Sequence, residues 1–303
     1  MMEFQKAFDS ERACLKFLAE KRWGIGQQDR YCPHCGSYET YAFKDGFLFK
    51  CKDCRKQFTV KVGTIFTDSK VPLTKWFLAI YLATSLKKGI SSVQLSKYIG
   101  VTQKTAWYML QRIRYAIEAN DDDPLRGFIE VDETYVGGKP RAYEKGKRKE
   151  KGVVFGAIER NGRARFTHVK SSGARVLIPK IKRDIRRGAV IFSDQHGSYT
   201  TLSGRGYQHF SVNHGQLEFV KGLTHTQNIE AAWSHFKRSL YGVYHSVSMK
   251  HLQKYCSEFE FRYNTRTIDD KERFDRWFST IHAALPYKEL IRGQSPAKEG
   301  FRT

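Results

Sequence analysis

The sequence predicts a multi-domain α/β protein, and three features of the 303-residue chain lead to that prediction. Four of the six cysteines fall between residues 31 and 60, in two short pairs. Apolar residues then recur at helical spacing from 72 to 118. Beyond a turn-forming run at 120–124, short apolar runs broken by glycine and charged residues alternate with helical periods. Such an order is typical of a mixed sheet covered by helices.

The cysteine pairs form the first motif. Two residues separate Cys32 from Cys35 and Cys51 from Cys54, and fifteen residues lie between the pairs. Two such knuckles can place four thiolates at the corners of a tetrahedron, the geometry of structural zinc. An Asp-Gly dipeptide at 45–46 predicts a hairpin turn between them. We therefore expect a zinc ribbon that holds Zn²⁺, because a redox pair would not need the second knuckle.

The helical stretch carries the pattern of a helix-turn-helix. Leu95 and Ile99 would pack the first helix, Gly100 would allow the turn, and Thr102 would cap the second helix. An ordinary helical hairpin is the alternative, because the pattern is loose. In the DNA-binding interpretation, polar groups on the exposed side of the second helix would reach base edges in the major groove. These groups are Gln103, Lys104, Trp107, Tyr108 and Gln111.

Charge indicates the class of partner. The formal net charge is +22, from 53 Lys and Arg against 31 Asp and Glu. Such an excess favours a polyanion as partner, and we expect double-stranded DNA; a ribosome-associated protein or an anionic membrane surface are the alternatives. No apolar run approaches the roughly 20 residues that cross a bilayer, and the first residues show no signal-peptide pattern. We expect a cytoplasmic, nucleoid-associated protein without a membrane segment.

Acidic residues in the second half of the chain predict a metal site. Asp132 lies inside an apolar strand, where an unpaired carboxylate is costly, whereas side-chain alternation directs Glu133 to the opposite face. Asp194 ends a second apolar strand, and Glu230 lies on a helix two turns before Lys237. Three oxygen donors suit Mg²⁺ or Mn²⁺, and Lys237 would hold a phosphate. Taken singly, these residues also fit a satisfied strand acid, a turn cap and a solvated helix face.

Several motifs together indicate a family. They are YCPHCG with CKDC, VDETYVGGK, SDQHGSY, NIEAAWSHFKR and GVYHSVSMKHLQKYCSEFEFRYN, spread over nearly the whole chain. On these motifs the sequence resembles the bacterial insertion-sequence transposases of the DDE type that carry an N-terminal zinc ribbon, relatives of the eukaryotic Merlin elements. The resemblance implies a ribonuclease H-like catalytic domain that cuts and joins DNA ends with a divalent metal.

The resemblance also implies roles for single residues. Asp132 and Asp194 match the first two acids of the family. Some members use asparagine and others glutamate at the third place, so Asn228 and Glu230 are both candidates. The charge of Glu230 and the 35 residues between Asp194 and Glu230 favour the glutamate. Trp233, on the same helix, is predicted to be a packing residue.

A strongly basic segment follows the first acid. Residues 139–151 contain seven Lys and Arg against two Glu, which suggests a loop that closes on DNA phosphates. A solvated hairpin tip is the alternative. The predicted DNA contacts in this segment and on the later helix are Lys139, Arg141, Lys145, Lys147, Arg148 and Arg238.

These observations predict the domain organisation and a function. The expected segments are a helical lead-in (1–30), the zinc ribbon (31–66), the helix-turn-helix domain (67–119), a linker (120–126), the catalytic domain (127–267) and a helical tail (268–303). The protein would bind terminal inverted repeats, cleave the strand and transfer it, as a homodimer or larger assembly because DNA ends come in pairs. The alternatives are a catalytically inactive, domesticated DNA-binding regulator and a metal-dependent nuclease that does not join.

Overall fold

A computed structural model describes residues 2–117, 123–137, 151–212, 225–281 and 285–292. These residues form two units, each with its own internal packing. The described residues within 1–86, 90–119 and 269–303 form the first unit, and those within 87–89 and 120–268 form the second. The segment after residue 268, which the sequence predicts to be a tail, thus groups with the N-terminal helices.

The secondary structure follows the helical and strand periods of the sequence. The helices are α1 (Met2–Ala7), α2 (Glu11–Trp23), α3 (Leu73–Ser85), α4 (Ser92–Ile99), α5 (Gln103–Ile117), α6 (Ala174–Asp184), α7 (Gln227–Ser239), α8 (Leu252–Asn264), α9 (Asp270–Trp277) and α10 (Tyr287–Arg292). The strands are β1 (Thr40–Ala42), β2 (Leu48–Cys51), β3 (Gln57–Thr59), β4 (Phe128–Val136), β5 (Gly152–Glu159), β6 (Ala164–Val169), β7 (Val190–Asp194) and β8 (Gln208–Val212). Within the described part of the chain, no helix is long and apolar enough to cross a membrane.

The cysteine-rich segment folds as an antiparallel sheet in the order β1-β2-β3. The predicted turn between β1 and β2 is present: Asp45 Oδ1 accepts the backbone N–H groups of Phe47 and Leu48, and Gly46 has a φ of +73°. A side-chain acceptor and a left-handed glycine are the local features that a tight hairpin turn requires. The turn therefore follows from the Asp-Gly dipeptide itself.

Aromatic side chains attach this ribbon to α2. The Trp23 ring lies 5.2 Å from the Phe49 ring and 6.2 Å from the Phe58 ring, both nearly perpendicular, and all three side chains are buried. Edge-to-face pairs of this kind stabilise a small core beyond the area that they bury. Arg22 closes the arrangement because its guanidinium donates to the carbonyl oxygens of Val60 and Val62 at 2.6 Å.

The predicted pair of helices with a tight turn is present as α4 and α5. Leu95 and Ile99 are buried, Gly100 is left-handed with a φ of +61°, and Thr102 Oγ1 accepts the Thr105 N–H at 3.2 Å. The glycine ends α4 and the threonine caps α5, so each turn residue has the role that the pattern assigned to it.

The second half of α5 differs from the prediction. Every residue from Met109 to Ala116 is buried, including Gln111. The expectation that Gln111 lies on the exposed side is therefore wrong. The C-terminal segment covers this part of the helix: Arg112 Nε and the Tyr108 hydroxyl both donate to the Leu285 carbonyl, at 3.0 and 2.8 Å. Gln103 and Lys104, at the start of α5, are exposed as expected.

The second unit is built on a five-stranded mixed sheet in the order β6-β5-β4-β7-β8. β4 lies at its centre, antiparallel to β5 and parallel to β7, while β6 is antiparallel to β5 and β8 is parallel to β7. α6 lies in the chain between the antiparallel strands and the parallel ones. This arrangement is the ribonuclease H-like α/β fold that the resemblance implied.

Helices cover both faces of this sheet. On one face, α6 contributes Leu177, Ile178 and Ile181 to a core that includes Ile129 and Val131 of β4. On the other face, α7 and α8 pack over β5 and β6 through a core that includes Trp233, Phe236, Phe259 and Phe166. Because side chains alternate along a strand, β4 presents Ile129, Val131 and Glu133 to the α6 side and Glu130 and Asp132 to the α7 side.

Candidate functional site

The four cysteines of the ribbon meet at one point. Their Sγ atoms all lie within 4.8 Å of one another, and the Cys32–Cys54 and Cys35–Cys51 pairs are 3.6 Å apart. A tetrahedral zinc ion with Zn–S bonds of about 2.3 Å requires S–S edges of about 3.8 Å. The donors therefore fit structural zinc, as the spacing predicted. Among the described residues, these cysteines are the one set of three or more His, Cys, Asp or Glu with such proximity.

Loss of one thiolate should unfold the ribbon. We expect Cys51→Ser to reduce bound zinc to near zero and to remove hydrogen-exchange protection from the β1–β3 amides, because a small zinc site contributes on the order of 10 kcal/mol to its own folding. Elemental analysis and amide exchange measure the two effects. Cys14→Ala, at a buried cysteine of α2 outside the cluster, is the control and should keep its zinc. Full zinc content in Cys51→Ser would contradict the assignment.

Asp132 lies in the middle of the central strand. It stands opposite Gly156 of β5, and its Oδ2 accepts a hydrogen bond from Trp233 Nε1 at 2.8 Å. Burial, and then the neighbouring charge of Asp194, raise the pKa of Asp132 to about 7. A bound cation would stabilise the ionised carboxylate of Asp132, because its charge would offset both the cost of burial and the repulsion from Asp194.

Gly156 determines how closely α7 approaches Asp132. A Cβ atom at this position would lie 2.7 Å from Cζ2 and Cη2 of the Trp233 indole. Real Cβ atoms do not approach so closely, so a side chain at 156 would displace the indole and its hydrogen bond to Asp132. Trp233 is buried, which confirms that it is a packing residue. Its N–H gives it a second role that the packing prediction did not include.

Asp194 ends β7 beside Asp132. In the parallel pair, Glu130 is opposite Phe192, and Asp132 and Asp194 each follow two residues later on the same face of the sheet. Asp194 Oδ1 also accepts the His196 N–H at 3.0 Å, which holds the carboxylate at the turn out of the strand. The structure therefore brings the first two predicted acids together.

Glu133 faces the α6 side, as alternation predicts. The Tyr199 hydroxyl donates to its Oε2, and His196 Nδ1 lies 3.2 Å from its Oε1. Burial raises the pKa of Glu133, and burial with the Glu133 charge raises the pKa of Tyr199 well above its usual range. The sequence prediction did not identify this network, whose members lie up to 66 residues apart.

The two candidates for the third ligand lie in different surroundings on α7. Glu230 is exposed, and its Oε1 accepts the Thr226 hydroxyl at 2.9 Å. Asn228 donates from Nδ2 to Glu130 Oε1 at 2.8 Å. At 100° per residue, Glu230 and Lys237 share one helix face, whereas Asn228 lies on the side opposite Lys237. The carboxylate oxygen atoms of Glu230, Asp132 and Asp194 do not all lie within 4.8 Å of one another.

Glu130 is a buried acid that the sequence prediction missed. Its Oε2 accepts the N–H groups of Asn228 and Ile229 at 2.9 and 3.2 Å, Arg160 Nε donates to its Oε1 at 2.9 Å, and His225 Nδ1 lies 3.2 Å away. The side chain of Thr226 does not cap α7. Glu130, on β4, instead accepts N–H groups that an N-cap side chain usually accepts. The residue fixes the start of α7 against β4.

Of the remaining residues that are predicted to contact DNA, the structure describes those on α7 and does not describe those in the basic segment. Lys237 is half-buried and Arg238 is exposed near the end of α7. Arg238 donates from Nη2 to Ser234 Oγ at 3.0 Å. The basic-segment residues Lys139, Arg141, Lys145, Lys147 and Arg148 lie outside the described residues.

Comparison with known proteins gives matches over both units. Residues 9–57 match the transposase zinc-ribbon domain, and residues 124–264 match the ISXO2-like transposase domain. An uncharacterised protein in the transposable element ISH50 of Halobacterium salinarum is 29% identical over 281 residues, which cover 85% of this chain and 92% of that protein. An uncharacterised transposase-like protein of Haemophilus influenzae is 27% identical over 92 residues, covering 30% of this chain and 73% of that protein.

Two chains of solved structures have a weak likeness to this chain. A chain of the Mos1 strand transfer complex has 13% identity and a TM-score of 0.29 over 63% of this chain and 70% of its own length, and such a score supports no inference. The two domain matches, in contrast, confirm the resemblance that the cysteine and acidic motifs carry. The chain therefore belongs to the family of insertion-sequence transposases that combine a transposase zinc ribbon with an ISXO2-like transposase domain.

Proposed function

We propose that the protein binds the terminal inverted repeats of an insertion sequence, cleaves the strand at each end and joins the freed 3′-hydroxyl to target DNA. One observation carries the proposal: the parallel register of β4 and β7, with Glu130 opposite Phe192, continues to Asp132 beside Asp194, and the charge of Asp194 acts on Asp132. Over them lies α7, whose Trp233 contacts Asp132 and whose exposed face carries Glu230 and Lys237. The site thus combines carboxylate oxygen atoms with the ammonium group of Lys237, and this combination suits the cleavage of a phosphodiester.

Asp132, Asp194 and Glu230 would hold Mg²⁺ or Mn²⁺. The first two fit a hard cation because they are neighbouring carboxylates, and because burial and Asp194 raise the pKa of Asp132 to about 7, a cost that a bound cation would offset. A pair of divalent ions held there would activate the attacking oxygen and stabilise the leaving one.

Other residues would position these groups. Trp233 fixes the orientation of the Asp132 carboxylate through its N–H, and Glu130 holds the start of α7 so that Glu230 keeps its place relative to the strand. Lys237 would bind a phosphate of the scissile strand. We assign Asn228 to the support of Glu130, since its amide donates there at 2.8 Å.

DNA binding would involve both units. Gln103 and Lys104 are exposed at the start of α5, where a recognition helix contacts bases, whereas the buried Gln111 is excluded from that role. The net charge of +22 supports a large sequence-independent contribution from phosphates. Because an element has two ends, we expect a dimer or larger assembly on the paired ends.

The proposal is tested with a labelled DNA end, taken from the flanks of the gene, in Mg²⁺ or Mn²⁺. We expect wild type to give both cut ends and joined products. Glu230→Gln should lower the cleavage rate by roughly 10³-fold, because a ligand contributes several kcal/mol of transition-state stabilisation. Asn228→Ala should lower it by about 10- to 100-fold, the usual effect of losing a supporting contact behind a ligand. Both variants should bind the end as tightly as wild type.

Each other outcome favours a different assignment. If Asn228→Ala abolishes cleavage and Glu230→Gln retains it, the amide is the third ligand. Cut ends without joined products would indicate a nuclease. Binding by wild type without any cleavage would indicate a regulator.

A further inference from the structure

A groove lies beside the end of α7, in the second unit. Its volume is about 620 Å³, within the range of sites that hold drug-sized ligands. A nucleotide or two would fill it. The lining residues are Lys88, Ser234, Lys237, Arg238, Tyr241, Gly242 and Val243, with Lys88 coming from the segment 87–89 that groups with this unit.

The groove is positively charged. Among the lining residues that the structure describes, three are Lys or Arg and none is acidic. Among the described residues, none accepts a hydrogen bond from the Lys237 ammonium or pairs with it. Arg238 is held along the helix by donating to the Ser234 carbonyl at 3.2 Å and to the Ser234 hydroxyl at 3.0 Å. An anion with several oxygen atoms, such as a DNA phosphate, fits this lining.

An exposed aromatic ring completes the groove. Tyr241 is 47% exposed, and its hydroxyl has no partner among the residues that the structure describes. It lies in a π-helical turn, Leu240–Tyr244, that continues α7. His245 follows the turn directly. Its φ is +58°, and its Nδ1 lies 3.1 Å from the Tyr241 carbonyl oxygen. π-turns and positive φ values at residues other than glycine are uncommon and often occur at functional sites.

The groove continues the face of α7 that carries the candidate third ligand. Ser234 and Lys237 follow Glu230 by four and seven residues, so at 100° per residue they lie within about 40° of it around the helix. A strand that passes Glu230 can therefore run along α7 towards Tyr241, since the rise along the helix from Glu230 to Lys237 is about 10 Å.

We propose that this groove binds unpaired nucleotides of the DNA strand next to the cleavage point, with Lys237 and Arg238 on phosphates and Tyr241 stacked on a base. This inference rests on the proposed transposase function. It specifies a single strand, because a paired base inside a duplex does not offer its ring face to a tyrosine. A positive groove with an aromatic platform is the arrangement by which proteins hold single strands without reading their sequence.

The test compares two DNA probes by fluorescence anisotropy, without added Mg²⁺ or Mn²⁺. One is a blunt duplex of the element's end, and the other is the same duplex with a short unpaired thymidine overhang. Wild type should prefer the overhang. Tyr241→Ala should reduce affinity for the overhang probe by about tenfold, the lower part of the range for one stacked base, and leave the blunt probe unchanged. Tyr241→Phe should keep the preference, because it retains the ring.

A control and a direct measurement complete the test. Phe210→Ala removes a side chain that is 48% exposed on β8, outside the groove, and should not alter the preference. In wild type, photocrosslinking from a 5-iodouracil in the overhang should label Tyr241. Equal binding of both probes by wild type with no crosslink at Tyr241 would overturn the groove assignment and leave the proposed function standing. An equal loss on both probes in Tyr241→Ala would also overturn it, whereas binding of neither probe by wild type would overturn the proposed function itself.

Discussion

Asp132→Asn is expected to lower the rate of DNA cleavage strongly and, at the same time, to stabilise the metal-free protein above neutral pH. Burial and Asp194 raise the pKa of this carboxyl to about 7 in the folded chain, from an ordinary value of 3.8. The folded state therefore binds this proton more tightly than the unfolded state. The stability that this proton contributes is present at low pH and is lost as the pH rises through about 7.

The two effects have separate magnitudes. Asparagine carries no charge and can still accept the Trp233 hydrogen bond, so above pH 7 it avoids a penalty of up to roughly 4 kcal/mol. Cleavage should fall by roughly 10³-fold or more, since asparagine is a weaker metal ligand than a carboxylate. Thermal melting measured across pH and cleavage measured on the labelled end report the two effects.

Metal dependence supplies the control. Mg²⁺ should raise the melting temperature of wild type, because a ligand that binds only the folded state stabilises it, and should have little effect on Asp132→Asn. Asp123→Asn, at a side chain that is half exposed and paired with Arg126, should behave as wild type in both assays. An Asp132→Asn protein that cleaves normally would show that Asp132 is not a ligand.

Local features of the chain were predictable from the sequence, and contacts between distant segments were not. The Asp-Gly turn and the cysteine knuckles depend on neighbouring residues, and both are present where the pattern places them. The hydrogen bond from Trp233 to Asp132 joins residues 101 positions apart. The contact that covers α5 joins Arg112 to Leu285 across 173 positions. The exposure predicted for Gln111 was therefore wrong, because a distant segment of the chain covers this part of the helix and the sequence of α5 does not reveal that segment.

For Glu130, too, the sequence contains the local signal but not the distant partners. The alternation that separates Asp132 from Glu133 also places Glu130 on the face of Asp132, so the signal for a second inward acid was present in the strand. Its partners were not predictable, because α7 begins 97 residues later, at Gln227. Only the packed structure shows that Glu130 supports the same helix that carries the candidate third ligand.

Glu130→Ala should be among the most destabilising single substitutions in the second unit. The carboxylate is fully buried and accepts hydrogen bonds from Arg160 and from the first turn of α7. Its removal leaves the Arg160 guanidinium, whose side chain is only 15% exposed, without its anion, and two helix N–H groups without an acceptor. We expect a loss of about 3 to 5 kcal/mol in the free energy of unfolding, the usual cost of breaking a buried ion pair.

Two further variants separate the ion pair from simple loss of volume. If the loss reflects a buried cation without its partner, Glu130→Leu with Arg160→Leu should be more stable than Glu130→Leu alone, and a double-mutant cycle measures the coupling. Glu39→Ala, in the exposed pair with Lys52, makes the same kind of change at a surface site and should cost less than about 1 kcal/mol. Amide exchange should show the loss in Glu130→Ala first at the start of α7, because that is where the carboxylate caps the helix. Unchanged protection there, with wild-type stability, would mean that α7 does not depend on Glu130 for its position.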